Sequence, residues 1–464
     1  MKKVLAALVF VMLATVLLHA SSLAQTEGGK IRLVTREVSL GKVHPGIVEN
    51  SLVGSSDSKR FAYVAMRDRQ FVVVDGVEGK EYNWILPPIF SPDSKRVAYV
   101  AVRGGKWLVV VDGEEGKEYD GMESLIPTFS PDSKRVAYRA ERGGKQLVVV
   151  DGEEGKEYDG MEYVYSIFSP DSKRVAYVVG RGNKGFVVVD GEEWKEYDGV
   201  GPLLFSPDGK RVAYAARRGH EMLVVVDGVE GKEYGGIRVN TFLFSPDSKQ
   251  VAYAAGHGHK MLVVADGVEG REYDEIREGS LLFSPNSKRV AYGARRGGKW
   301  LVVVDGEEGK EYGWISNLVF SPDSKQVAYV ASDELLGGKQ FVVVDREEGK
   351  EYDGIYSLIF SPDGKRVAYV ARRGGKGLVV VDGVEGKEYD GCGPLLFSPD
   401  GKRVAYAAMR GIKKRLVVVN GEEGKEYDAF LPNSELVFDS PKLLHALAGR
   451  GEEIFRVEIE IVEE

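Results

Sequence analysis

One short phrase, F-S-P-D-S/G-K-R-V-A-Y followed by L-V-V-V-D-G-E-E-G-K-E-Y-D-G, recurs ten times along this chain of 464 residues. Its serine stands at Ser55, Ser91, Ser130, Ser169, Ser206, Ser245, Ser284, Ser321, Ser361 and Ser398, in steps of 36 to 40 residues. A unit of that size cannot bury a core alone, so a chain repeating it must stack like upon like. Nothing else in the sequence constrains the fold as strongly.

The unit reads as strands. In the copy at Phe90, Ser91-Pro92-Asp93-Ser94 is turn chemistry: proline presets one dihedral and aspartate caps the turn. Sister copies place Gly209, Gly364 and Gly401 where Ser94 stands, which suits a positive φ. Arg96 to Val102 and Leu108 to Val111 are apolar on both alternating faces, as strands covered on both sides are. Asp112-Gly113-Glu114-Glu115-Gly116 then reverses the chain into Lys117-Glu118-Tyr119-Asp120, a short charged edge. An apolar triplet such as Leu203-Leu204-Phe205 leads into the next turn. The expected unit is a four-stranded antiparallel meander, and such units stack as wedges around an axis.

F-S-P-D-G-K-R-V-A-Y, as at Phe360 to Tyr369, resembles the Pro-Asp variant of the WD-like propeller repeat. That repeat is found in the periplasmic Tol-system propeller protein and in the propellers of prolyl-oligopeptidase-like enzymes. The resemblance covers residues 30–464 and implies an all-β β-propeller; it implies no particular function. No segment matches the Tol protein's α/β domain or the peptidases' hydrolase domain, and no G-x-S-x-G occurs. Ile31 to Leu40 resembles a later half-repeat, and Phe438 to Glu460 a first half followed by I-F-R-V-E-I-E. Joined, they make one further blade, so the expectation is about eleven blades closed by N- and C-terminal half-repeats. Two tandem propellers of five to six blades are the alternative. Lys442 to Ala448 fits either strand or short helix.

Lys2 and Lys3, the apolar run Val4 to Leu18 and Ser22-Leu23-Ala24 describe a signal peptide over 1–24, with the repeat domain at 25–464. The run is shorter than the roughly twenty residues a spanning helix needs, so no stable membrane insertion is expected after cleavage. The chain is therefore expected to be exported, periplasmic or extracellular, and monomeric. Cys392 is the only cysteine, so packing rather than disulfides must hold the fold; it occupies the slot of Val200 in a sister copy. A formal net charge of -8 argues against nucleic acid as a partner.

Alternation in a meander puts the S-P-D and D-G-E-E-G turns on one face, and the R-G-G-K hairpins with the variable segments on the other. The hairpin face carries Arg217, Arg218, Arg295, Arg296, Arg372 and Arg373, which would favour an anionic partner. The segments before each S-P-D vary most between copies and offer Trp84, Tyr163, Tyr165, Trp314 and Tyr356 near the central mouth. Glu275 and Glu278 form a candidate acid–base pair, with solvated loop charge as the plainer account. His220, His257 and His259 share a loop position, but no acidic or thiol partner stands near in sequence, and no metal or cofactor is expected. The expected function is a non-enzymatic binding or scaffold propeller presenting one loop face to a protein or anionic glycan. The alternatives are a propeller-fold glycosidase or polysaccharide lyase using loop carboxylates, and a passive structural envelope protein.

Overall fold

The computed structural model describes residues 30–122, 126–160, 168–238, 241–335, 337–411, 414–431 and 436–464. The expected leader at 1–24 lies outside the described residues, as do Tyr163 and Tyr165. Among the described residues no helix is long and apolar enough to cross a membrane. The architecture is all-β and propeller-like: among the described residues eleven antiparallel sheets succeed one another, most of them four strands in chain order. The third sheet is typical, with Thr128–Phe129, Val136–Arg142, Lys145–Val150 and Glu153–Glu154 as a meander.

The repeat phrase explains each turn. Ser94 and Ser133 adopt φ of 64° and 65°, and Gly209 takes φ 74° at the same place. The side chain of Asp93 accepts from Ser91 Oγ at 2.7 Å and from the Lys95 amide at 3.2 Å, closing the S-P-D turn on itself. Asp112 and Gly113, at φ 53° and 86°, form the tight Asp-Gly hairpin that matches the twist of its strands.

The two middle strands are buried on both sides, as the sequence requires. Val97, Tyr99 and Ala101 pack toward the first sheet, whereas Ala98 and Val100 pack toward the third. Burial of each such valine or tyrosine stabilises by about 1.5–3 kcal/mol, so every sheet is held by both neighbours. Polar links repeat at the same junctions. Tyr119 Oη donates to Glu154 of the next sheet at 3.0 Å, and equivalent pairs run from Tyr82–Glu115 to Tyr389–Glu423. On the S-P-D face Arg96 Nε donates to Asp112 at 2.8 Å while Nη1 reaches the Lys134 carbonyl at 2.7 Å. The same guanidinium lies over Phe129, 5.4 Å from its centroid. Seven arginines make the own-sheet pair; Gln250 and Gln326 take the place in the sixth and eighth sheets.

The ends meet in the eleventh sheet. Ile31–Lys42 pairs along its length with Glu453–Glu463, from Ile31 opposite Glu463 to Lys42 opposite Glu453. Residues 442–448 are mostly strand: Leu443–Arg450 lies hydrogen-bonded against Glu453–Glu463, with Leu444, Ala446, Leu447 and Ala448 buried. Cross-strand pairing thus decides a segment whose local pattern was ambiguous. Tyr427 of the tenth sheet donates to Glu37 on the N-terminal strand, continuing the tyrosine–glutamate series. Leu431, Leu447 and Ile454 of this last sheet pack with Phe61, Tyr63 and Phe71 of the first.

Candidate functional site

Ion pairs show which way the loops face. Arg103 at the hairpin contacts Glu115 at 3.0 Å and Glu118 at 2.8 Å on its own outer strand, and Lys106 contacts Asp120 at 2.5 Å. The arginines singled out from sequence fall into this scheme. Arg218 bridges Glu230 and Glu233, Arg296 bridges Glu308 and Glu311, and Arg373 bridges Glu385 and Glu388, at 2.6–3.0 Å. Glu230 also accepts from Lys195 and Tyr197 of the preceding sheet, and these donors, Arg218 first, hold its carboxyl down at about 2. Arg217 donates to the Asp198 carbonyl at 2.8 Å and Arg295 pairs with Glu275 at 2.9 Å, while Arg372 is exposed with no close ion pair among the described residues. Four of the six rim arginines, Arg218, Arg295, Arg296 and Arg373, are thus already paired with glutamates. Those of Arg218, Arg296 and Arg373 come from the outer strands, 12 to 15 residues downstream of the arginines that bind them.

The aromatic candidates stand on inner strands at the same end. Trp84 is 40% exposed, pairs with Val102 and meets Trp107 edge-on at 5.6 Å. Tyr356 is 53% exposed and lies opposite Val370. Trp314 is half-buried opposite Ser332.

Around Trp314 the structure assembles a cluster that no single motif announces. Arg277 lies between two indoles, 5.5 Å from the Trp300 centroid and 5.3 Å from that of Trp314. Arg295 lies over the same Trp300 ring at 5.5 Å, and Glu275 joins Arg295 to Arg238, the latter at 3.6 Å. The guanidinium of Arg277 itself has no hydrogen bond or ion pair among the described residues, and burial pulls its pKa down. The backbone beneath is shaped for it. Gly293 stands where sister strands carry Val100, Ala215 or Val370, and an added Cβ would lie 2.8 Å from Ile315 and 3.2 Å from Arg277 Cβ. Ser280 Oγ accepts from the Gly293 amide at 2.9 Å and donates to the Arg277 carbonyl at 2.7 Å, fixing the segment. Sequence inspection fixed on the carboxylates of this segment and missed its arginine. The available signal was an arginine in a variable segment, with tryptophans in the adjoining strands.

The remaining candidates are quickly placed. Glu275 is committed to two arginines, while Glu278 is exposed on the same segment. His257 pairs with Glu272 at 2.5 Å, in the place of the sister arginines; His220 and His259 are exposed. Among the described residues no three metal-ligating side chains converge. Burial pushes the Cys392 thiol up to about 11, against a role as thiolate nucleophile. Arg139 is 5% exposed in the third sheet and donates to Gln146 at 3.2 Å.

No family model matches the sequence, and no curated protein matches it. Among solved structures, similarity is found to a eukaryotic initiation factor at 13% identity and TM-score 0.43, covering 82% of this chain and 95% of that one. It is also found to a computationally designed protein, Ika8, at 20% identity and TM-score 0.31, covering 62% and 93%. Kuenenia stuttgartiensis hydrazine synthase follows at 16% identity and TM-score 0.26, covering 56% and 96%. At these scores the likenesses carry no functional inference.

Proposed function

We propose that this chain is an exported, non-enzymatic binding protein: a single ring of eleven blades that engages an anionic glycan at the hairpin-face mouth. The single ring is supported by the pairing of Ile31–Lys42 with Glu453–Glu463 and by the packing of the last sheet on the first. The binding reading rests on Arg277, whose guanidinium lies between Trp300 and Trp314 and makes no close ion pair among the described residues, Glu275 acting on it only from beyond contact distance. A planar cation fixed beside indoles offers a fork of donors to a carboxylate or sulfate and an aromatic surface to a sugar ring. The paired rim arginines offer a partner far less, because binding would have to displace their glutamates.

The test is retention of the mature protein in gels containing carboxylated or sulfated polysaccharide, across a salt series. Arg277→Ala is expected to weaken binding about tenfold or more, the loss of a charge-assisted contact of roughly 1.5–3 kcal/mol. Replacing Arg218, Arg296 and Arg373 together with serine is expected to change retention little. Wild-type retention by Arg277→Ala, or loss confined to the triple variant, overturns the reading.

A further inference from the structure

One position on the outer strand lies beside the tyrosine of the next sheet, and the copies fill it differently. Gly116 holds it in the second sheet, where an added Cβ would lie 3.3 Å from Tyr138 Oη, and Gly309 holds it in the seventh, 3.9 Å from Tyr329 Oη. In the fourth sheet the residue is Trp194. Its amide still donates to the Val187 carbonyl at 2.9 Å, as the Gly309 amide does to Val302 at 2.9 Å, so this backbone accepts a side chain. The indole packs on the cluster of Val187, Val189 and Tyr214, with its centroid 6.2 Å from that of the tyrosine ring. In the tenth sheet the place is covered by another strand: Leu33 would lie 3.9 Å from a Cβ on Gly424. Val189 and Val419 of these two sheets are 3% and 0% exposed, whereas counterparts such as Val111 and Val304 are only half-buried. The groove so closed is apolar, and twice the fold supplies its own side chain to cover it.

Between the seventh and eighth sheets the groove is open. A cavity of about 340 Å³ lies there, floored by Val302, Val304 and Tyr329, the equivalents of Val187, Val189 and Tyr214, with Gly309 where Trp194 stands. Two features set this junction apart. Arg346 stands on the rim in place of the glycine that sister turns carry, from Gly76 to Gly421. It keeps φ at 77°, and its link to Glu307 across the groove is 3.4 Å long between exposed side chains. A strained residue with so little return in stability points to a task at the surface. Gln326 replaces the arginine that elsewhere pairs with its own sheet's aspartate. Asp345 therefore accepts from the Val327 amide at 3.1 Å and makes no close ion pair among the described residues. Asp266, beside Gln250, shares that freedom but is followed by Gly267 rather than an arginine.

Charge and shape together select the occupant. Among the lining groups Arg289 pairs with Asp305 at 2.8 Å and Arg346 with Glu307, which leaves the Asp345 carboxylate over. That charge calls for a cation at the rim. The floor calls for a flat apolar ring, as Trp194 shows at the sister junction. We propose that the Gly309 groove docks a tryptophan of a protein partner, with a lysine or arginine next to it in the partner's sequence. The indole lies on Val302, Val304 and Tyr329, and the basic side chain pairs with Asp345. Arg346 leaves Glu307 to cover the ring face. None of the residues around Arg277 takes part, so the site is independent of the glycan reading.

Saturation-transfer NMR on the full-length mature protein, with the amides of N-acetyl-Trp-Lys, N-acetyl-Trp-Glu and N-acetyl-Leu-Lys as separate probes, tests this. Strong transfer to the indole of the lysyl peptide is expected, with weaker transfer to the glutamyl peptide and little to the leucyl one. Gly309→Trp closes the groove from within, as Trp194 does. It is expected to weaken indole transfer at least about tenfold with an undiminished unfolding midpoint. Asp345→Asn keeps the turn, since Asn420 accepts from the Val404 amide at 2.9 Å in the tenth sheet, and is expected to level the lysyl and glutamyl peptides. Arg277→Ala is expected to leave transfer unchanged, so that failure of the anionic-glycan reading and failure of this one are distinguishable. Absent indole transfer, equal transfer to the leucyl peptide, or undiminished transfer in a folded Gly309→Trp overturns the proposal. Should Gly309→Trp unfold, a lysyl preference that survives in Asp345→Asn overturns it equally. Self-association of the protein that Trp84→Ala abolishes overturns it in favour of a second copy as the occupant.

Discussion

At the scale of single residues, departures from the repeat are the informative positions, because the repeat supplies its own control. Arg346 replaces the glycine of the Asp-Gly hairpin yet keeps φ at 77°, where side chains other than glycine are strained. Its pair with Glu307, at 3.4 Å between two well-exposed side chains, returns little. Arg346→Gly is expected to stabilise the eighth sheet by up to about 1 kcal/mol, seen as slower hydrogen exchange at residues 345–348. Glu37 gives the opposite kind of signal. Hydrogen bonds from Arg450 first and Tyr427 second lower its pKa from 4.5 to about 2. A carboxyl whose folded value is depressed contributes stability that is complete above its unfolded value and is lost as pH falls toward the folded one. Attachment of the N-terminal strand is therefore expected to loosen between pH 4.5 and about 2. Hydrogen exchange of residues 31–42 across that range, against Glu37→Gln, checks it; a variant with the same pH dependence refutes the assignment.

At the scale of strands and sheets, stability lies in the junctions. Gln250 lacks the guanidinium that elsewhere reaches its own sheet's aspartate, the next sheet's turn carbonyl and a phenylalanine face. Gln250→Arg is expected to find Asp266, the Lys288 carbonyl and Phe283 in those roles, and to raise the unfolding midpoint through a gain of about 1 kcal/mol. An unchanged midpoint would mean that the arginine struts are ornament to the apolar packing. Removing Ile31 to Leu40 should bare the edge of Glu453–Glu463, whose ladder groups would then pair with another chain. Light scattering should show concentration-dependent association; a monomeric truncate with an unchanged melting profile would contradict closure through this strand.

At the scale of the whole molecule, stacked sheets give nearly additive stability, and in the proposed single ring closure is the cooperative step. One ring is expected to unfold in one calorimetric transition, and two tandem rings in two. Limited proteolysis yielding stable halves would likewise support the tandem arrangement.

Much of this was legible in the chain itself. Period, strand order, turn positions and the two-faced middle strands follow from local chemistry copied ten times: proline and aspartate set a turn, β-branched runs set a buried strand. The partners of the rim arginines were not legible because their glutamates lie 12 or 15 residues away on the outer strand, and only the meander brings them together. Leu443–Arg450 was ambiguous because its pattern suits either period, and its partner Glu453–Glu463 decided it. Arg277 meets Trp300 of the seventh sheet and Trp314 of the eighth, a contact that only the packing of neighbouring sheets makes. Sequence alone determined the unit and its repetition, because both depend on residues a few positions apart. Tertiary structure decided which charges are already matched and which donors are left over, because charge pairing depends on distance in space rather than along the chain.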